Sequence, residues 1–193
     1  SSALAFYQEC LKLDATNSRI LLLCVPLENQ PSKKLELAKR ALASAGDEEV
    51  RHDALAEWVR LRLLYNSDGK GVSEVVSKLE AYLAKTPRVS DLRIQLSQIY
   101  EKLGRATEAR RVLRDGLDND PEGSIHATLG ALYERNGSPD IAASYYEEAL
   151  RLQPNNESLK QLVQKLQAPK VTPEDPTRLR LPAKSTSGGS LHE

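Results

Sequence analysis

Methionine is absent from this 193-residue sequence, and it has only two cysteines, three histidines, one tryptophan and one phenylalanine. Two cysteines cannot build the disulfide framework of a small secreted domain. Because Cys10 and Cys24 both lie in helix-like apolar runs, we interpret them as buried thiols rather than a redox pair. The longest apolar run covers residues 20–25, far short of the roughly 20 residues that a membrane-spanning helix needs.

Net charge is also absent, since 27 basic residues balance 27 acidic ones. A balanced chain has no bulk attraction to polyanions or anionic surfaces, so we expect no nucleic-acid partner and no direct membrane contact. His52, His126 and His192 are scattered without metal-ligand spacing. The sequence has no glycine-rich phosphate loop and no nucleophile elbow. We therefore predict a protein that is not an enzyme and that needs no cofactor or metal.

What the sequence does contain is a repeat. Residues 93–121 and 126–154 align without gaps, every matched pair being 33 positions apart. A repeat of this length indicates a stack of similar units. The matched pairs are Leu96 and Leu129, Tyr100 and Tyr133, Gly104 and Gly137, Ala109 and Ala142, Leu117 and Leu150, and Pro121 and Pro154.

Each copy has the pattern of a helix hairpin. Apolar residues recur at helical spacing up to Leu103, and Gly104 then predicts a helix end, because glycine accepts the left-handed conformation there. A second amphipathic run ends at Asp120-Pro121. Small Ala109 suits a close approach of two helices, whereas large Tyr100 suits a gap between hairpins.

Looser copies precede these two. Trp58, Leu61 and Tyr65 repeat the spacing of the first half, and a late proline, Pro26, predicts a short or kinked helix in the earliest full copy. The predicted organisation is a repeat domain over residues 1–167 and a flexible Pro/Ser/Gly-rich tail at 168–193. Within the domain we predict a half repeat at 1–17, degenerate repeats at 18–46 and 47–88, clear repeats at 89–122 and 123–156, and a capping helix at 156–167.

The arrangement Leu129-Gly130-x-x-Tyr133, followed by Ala142, Tyr146, Ala149 and Pro154, resembles the tetratricopeptide repeat. The resemblance implies an all-α, right-handed superhelical solenoid of antiparallel helix hairpins with a C-terminal capping helix. The other copies depart from this signature, with Arg62 and Ser97 at the glycine position and Gly116 at an alanine position.

In solenoids that this sequence resembles, the first helix of each hairpin lines the concave groove. Its positions not used for packing are candidate contacts for another protein, either a peptide segment or a helix. The alternative is that they are ordinary solvent-facing positions. The candidate groove residues are Val59, Leu63, Asp91, Ile94, Gln98, Glu101, Lys102, Ala127, Ala131, Glu134 and Arg135.

We therefore predict a scaffold or adaptor that helps to assemble a larger complex. The alternatives are a regulatory or substrate-recruiting arm of a larger enzyme, or a membrane-anchored scaffold for envelope assembly or secretion. The first helix without a partner predicts a fragment of a longer protein. The compartment stays open, a cytoplasmic location being favoured over a periplasmic or anchored one. Because 177–182 alternate arginine with leucine, and the candidate groove holds Glu101 and Glu134 beside apolar residues, the tail could also bind this groove or that of a neighbouring molecule.

Overall fold

A computed structural model of the chain describes residues 2–65 and 69–167, and all regular structure in these two segments is helical. The predicted all-α class is therefore confirmed; the predicted tail lies outside the described residues. One 3₁₀ turn, Leu117–Asn119, precedes α8. The α-helices of the described segments are α1 (Ser2–Leu13), α2 (Ser18–Cys24), α3 (Pro31–Ser44), α4 (Glu48–Tyr65), α5 (Gly69–Leu83), α6 (Ser90–Lys102), α7 (Ala106–Arg114), α8 (Ser124–Arg135), α9 (Pro139–Leu152) and α10 (Glu157–Gln167).

Neighbouring helices pack as hairpins that stack along the chain. The hairpins are α2/α3, α4/α5, α6/α7 and α8/α9, with α1 packed on α2 at one end and α10 on α9 at the other. Each second helix also contacts the next first helix, as α3 contacts α4 and α7 contacts α8. Because each unit touches its sequence neighbours, the arrangement is the predicted solenoid.

One continuous apolar core runs through the stack from Val25 to Val163. Tyr100 is 1% exposed within it, and its hydroxyl donates to Glu80 at 2.5 Å. Burial, reinforced by that carboxylate, raises the pKa of Tyr100 to about 12. Tyr133 is also buried and stacks on Tyr145 at a centroid distance of 5.5 Å. The two repeated tyrosines therefore fill the interior as predicted.

Two glycines end first helices in the same way. Gly104 and Gly137 have φ angles of 72° and 74°, in the left-handed region that favours glycine. The backbone N–H that follows each glycine donates a hydrogen bond to a carbonyl of the helix. Arg105 donates to Tyr100 at 2.8 Å, and the equivalent bond in the later repeat is 2.9 Å long. The predicted helix end at Gly104 is thereby confirmed.

Asparagine and aspartate side chains cap the first turn of several helices. Asn17, Asp47 and Asn156 each accept a hydrogen bond from the backbone N–H three residues later, at 3.1, 2.8 and 3.2 Å. Buried Asp120 accepts from two N–H groups at the start of α8, at 2.9 and 3.0 Å. The helix α2 has seven residues and ends before Pro26, which confirms the predicted short helix.

One position in the repeat holds a different residue in each hairpin. Trp58 fills it in α4, and His126, whose Nδ1 lies 2.8 Å from Asp120, fills it in α8. In α6 it holds buried Arg93, which donates to the carbonyls of residues 87 and 112. A Cβ at Gly116 would lie 2.5 Å from the Arg93 side chain. The glycine that departs from the repeat signature therefore makes room for this arginine.

Candidate protein-binding face

The first helices α4, α6 and α8 carry the residues predicted to line the groove. We call the accessible members of this set the first-helix face. The exposed members are Asp91, Gln98, Lys102 and Arg135, and the half-buried members are Leu63, Ile94, Glu101, Ala127, Ala131 and Glu134.

The prediction that Val59 is accessible is wrong. Its side chain is 1% exposed and belongs to the main core. The helix α4 contacts α2, α3 and α5, so neighbours cover more of its circumference than a one-sided amphipathic pattern indicates. Val59 is therefore a packing residue, and a partner cannot reach it without local unfolding.

An apolar strip remains on the first-helix face. Leu63, Ile94, Ala127 and Ala131 are partly buried, and each packs against the main core. Their inner atoms are held by the core, while their outer atoms stay accessible. The strip therefore presents apolar surface on a rigid base, with one or two side chains from each of three successive first helices.

Glu101, Glu134 and Arg135 of this face are paired within the protein. Arg135 of α8 reaches Glu101 of α6, with distances of 2.7 Å from Nη2 to both carboxylate oxygens. Glu134 accepts from Lys165 of α10 at 3.0 Å and from the Tyr146 hydroxyl at 3.1 Å. The hydrogen bond from Lys165 is the largest cause that lowers the pKa of Glu134. The predicted groove charges therefore link successive first helices.

A third link, which the sequence reasoning missed, involves a histidine. His52 Nε2 of α4 lies 2.9 Å from the carboxylate of Asp91 in α6. Burial lowers the pKa of His52, but the hydrogen bond and charge of Asp91, helped by Asp53, outweigh burial and raise it. The linked residues are 39, 34 and 31 positions apart. In the sequence, these links were indicated by pairs of opposite charge separated by about one repeat length.

These links remove the electrostatic reason for binding of residues 177–182 to the groove. That hypothesis depended on Glu101 and Glu134 as free acceptors for arginine, and both already have basic partners. The segment itself lies outside the described residues.

Little in the described chain resembles a reactive centre. Across residues 2–65 and 69–167 no group of three or more His, Cys, Asp or Glu side chains could hold a metal ion. His126 packs with Asp120, and His192 lies outside the described segments. Cys24 is buried, which raises the pKa of its thiol, and Cys10 is half-buried. None of the described helices combines the length and apolarity needed to cross a membrane.

Comparisons with known proteins agree with this architecture. The sequence model of the tetratricopeptide repeat matches residues 90–122 and 123–156. No curated protein matches the chain. Among solved structures, TTC0263, a thermophilic protein of this repeat class from Thermus thermophilus, is 20% identical with a TM-score of 0.61, covering 84% of this chain and 88% of that chain.

Two further structures are similar. MamA is 18% identical with a TM-score of 0.60, covering 78% of this chain and 86% of that chain. YrrB, which has an unusual peptide-binding site, is 16% identical with a TM-score of 0.58, covering 84% and 81%. At these identities the likeness shows the fold. Together with the two matched repeats, it shows that residues 90–156 hold two tetratricopeptide repeats and that the described chain has the helical-solenoid fold of such repeats.

Proposed function

We propose that this protein is a non-enzymatic scaffold that binds a segment of a partner protein on its first-helix face and so helps to assemble a larger complex. The observation that carries the proposal is the apolar strip of Leu63, Ile94, Ala127 and Ala131, which is partly accessible but anchored in the core. Accessible apolar rows on a rigid surface are typical of partner sites.

The internal ion pairs suit this function. Because Glu101 and Glu134 are neutralised by the protein's own cations, the face selects a partner by shape and apolar contact more than by charge. The links also fix the spacing of successive first helices, so that little ordering entropy is lost when a partner binds. YrrB, a protein of similar fold, has a peptide-binding site, which supports a peptide or helix as the bound form.

Introducing negative charge into the apolar strip tests the proposal. The full chain is used to capture proteins from a lysate of its native host, and the dominant captured protein is then purified and its affinity measured. We expect the Leu63→Glu/Ile94→Glu variant to lose at least about tenfold in affinity, because binding of the partner would bury an unpaired carboxylate at each of the two positions.

The matched control is Leu13→Glu/Ile141→Glu, which places the same two charges at residues that are 92% and 47% exposed, at the end of α1 and on second helix α9. It should keep full affinity, and circular dichroism should show that both proteins are folded at the temperature of the binding measurement. Equal binding by the folded Leu63→Glu/Ile94→Glu variant and by the control would refute the first-helix face as the site.

A further inference from the structure

A second groove lies between the second helices α3 and α5. Its volume is about 330 Å³, and the start of α4 contributes to its lining. Apolar side chains line it from three helices: Leu42 of α3, Leu55 of α4 and Ala81 of α5. Leu55 is fully in the core, Leu42 is half-buried, and Ala81 is small and exposed. The groove therefore has an apolar floor with room above Ala81 for a side chain from outside.

Charges on the α4 side of the groove are satisfied. Arg51 donates to Glu48 at 3.0 Å and to the Ala45 carbonyl at 2.9 Å, and the Tyr82 hydroxyl donates to Glu48 at 2.5 Å. Burial, reinforced by Glu48, raises the pKa of Tyr82 to about 12. This wall is fixed and carries no net charge.

The α5 side differs. Lys78 lies in α5 and Lys85 lies in the turn that follows the helix, and both line the groove with Ala81. Within the described segments neither lysine has a carboxylate partner. The Lys78 ammonium instead lies 5.5 Å from the ring centroid of Trp58. The groove thus joins an apolar floor to two uncompensated positive charges, whereas both glutamates of the first-helix face have basic partners.

From this complementarity we propose that the α3/α5 groove binds an acidic segment of a partner protein. An apolar side chain of that segment sits over Leu42, Leu55 and Ala81, and carboxylates on either side of it pair with Lys78 and Lys85. The protein then has two binding surfaces, one on its first helices selected by apolar shape and one on its second helices selected by negative charge. Such a scaffold can hold two different segments at once.

The single tryptophan in the sequence reports on this groove, because Lys78 lies over its ring. The probe is an array of twelve-residue peptides with a central Leu or Phe flanked by Asp and Glu, each with an amide twin carrying Asn and Gln. The strongest binder is titrated against the full chain by fluorescence of Trp58. At low salt we expect it to bind at least about tenfold more tightly than its twin, an advantage that falls as added salt screens the charges.

Three variants separate charge from shape. Lys78→Glu/Lys85→Glu should abolish the preference for the acidic peptide, whereas Lys170→Glu/Lys184→Glu, with the same change in net charge outside the described segments, should keep it. Ala81→Arg adds a positive charge but fills the groove, so it should weaken binding. The proposal fails if acidic and amide peptides bind wild type equally, if the first variant keeps the preference, or if Ala81→Arg binds more tightly. Leu63→Glu/Ile94→Glu leaves this groove intact, so its effect on the first-helix face is read separately.

Discussion

The hairpins α8/α9 and α4/α5 follow one plan but pack differently. In α8/α9, a Cβ placed on Gly130 would lie 2.7 Å from a ring carbon of Tyr146, so the missing side chain allows the close approach of the two helices. The equivalent positions in α4/α5 hold Arg62 and Leu79. Arg62 reaches across the hairpin to Glu74 at 3.1 Å, and α4 and α5 pack against each other far less extensively than α8 and α9.

The difference teaches that the repeat signature encodes helix proximity as well as helix formation. Both hairpins form, because the apolar period is present in both. Only the one with a glycine opposite a tyrosine closes tightly, and it is among the two that match the family's sequence model. The open hairpin supplies the α5 wall of the α3/α5 groove, so departure from the signature accompanies a new surface.

Truncating the buried residue of each hairpin should show the largest effect. Tyr146 is 3% exposed and Leu79 is 0% exposed. We expect Tyr146→Ala to lower the free energy of unfolding by about 4 kcal/mol, because the tight hairpin cannot collapse onto the cavity. Leu79→Ala should cost about 2 kcal/mol, since the smaller side chain leaves a smaller cavity that the looser hairpin can partly fill. Urea unfolding measures both.

Tyr146→Phe is the matched control, because it keeps the ring and removes the hydroxyl that donates to Glu134. It should cost about 1 kcal/mol. If Leu79→Ala destabilised the protein as much as Tyr146→Ala, the contrast between a tight and a loose hairpin would be wrong.

Adding one methyl group at a glycine tests the same contrast from the opposite direction. Gly130→Ala should destabilise the protein by about 2 kcal/mol, because the new Cβ meets the Tyr146 ring. Gly69→Ala, at the start of α5, meets nothing within 4 Å and should be neutral or stabilising by about 0.5 kcal/mol. Thermal melts of the two variants give the comparison, and equal melting temperatures would contradict it.

The sequence predicted the helices, their ends and the repeat because these depend on local spacing. It placed Gly104 as a helix end and Tyr100 in the interior. It could not predict that Val59 is buried, since that depends on how many neighbours surround α4. It also treated Gly116 as a flaw, because the buried arginine that occupies its space lies 23 positions earlier, at Arg93.

The candidate site was predicted less completely than the fold. Residues of the first-helix face were identified by their position in the repeat, but their charges were taken as free. Glu101 and Arg135 come from different hairpins, and their pairing requires the distance between α6 and α8. The α3/α5 groove had no signal in the repeat pattern, because it depends on how far two second helices stand apart.

The smallest expected effect concerns the link between α4 and α6, which contains a histidine, unlike the Glu101–Arg135 link between α6 and α8. The pKa of His52 is raised by Asp91 in the folded protein, so the protonated pair stabilises the fold fully below the ordinary histidine pKa of about 6.5. This contribution is lost as the pH rises through the raised pKa. For so accessible a pair, the contribution to the free energy of unfolding should be at most about 1 kcal/mol.

Urea unfolding of wild type and of His52→Asn from pH 5.5 to 8.5 gives the difference in unfolding free energy as a function of pH. The curves should converge at high pH and separate at low pH, and Asp91→Asn should reproduce the separation. A constant offset across the range would mean that His52 acts by packing alone.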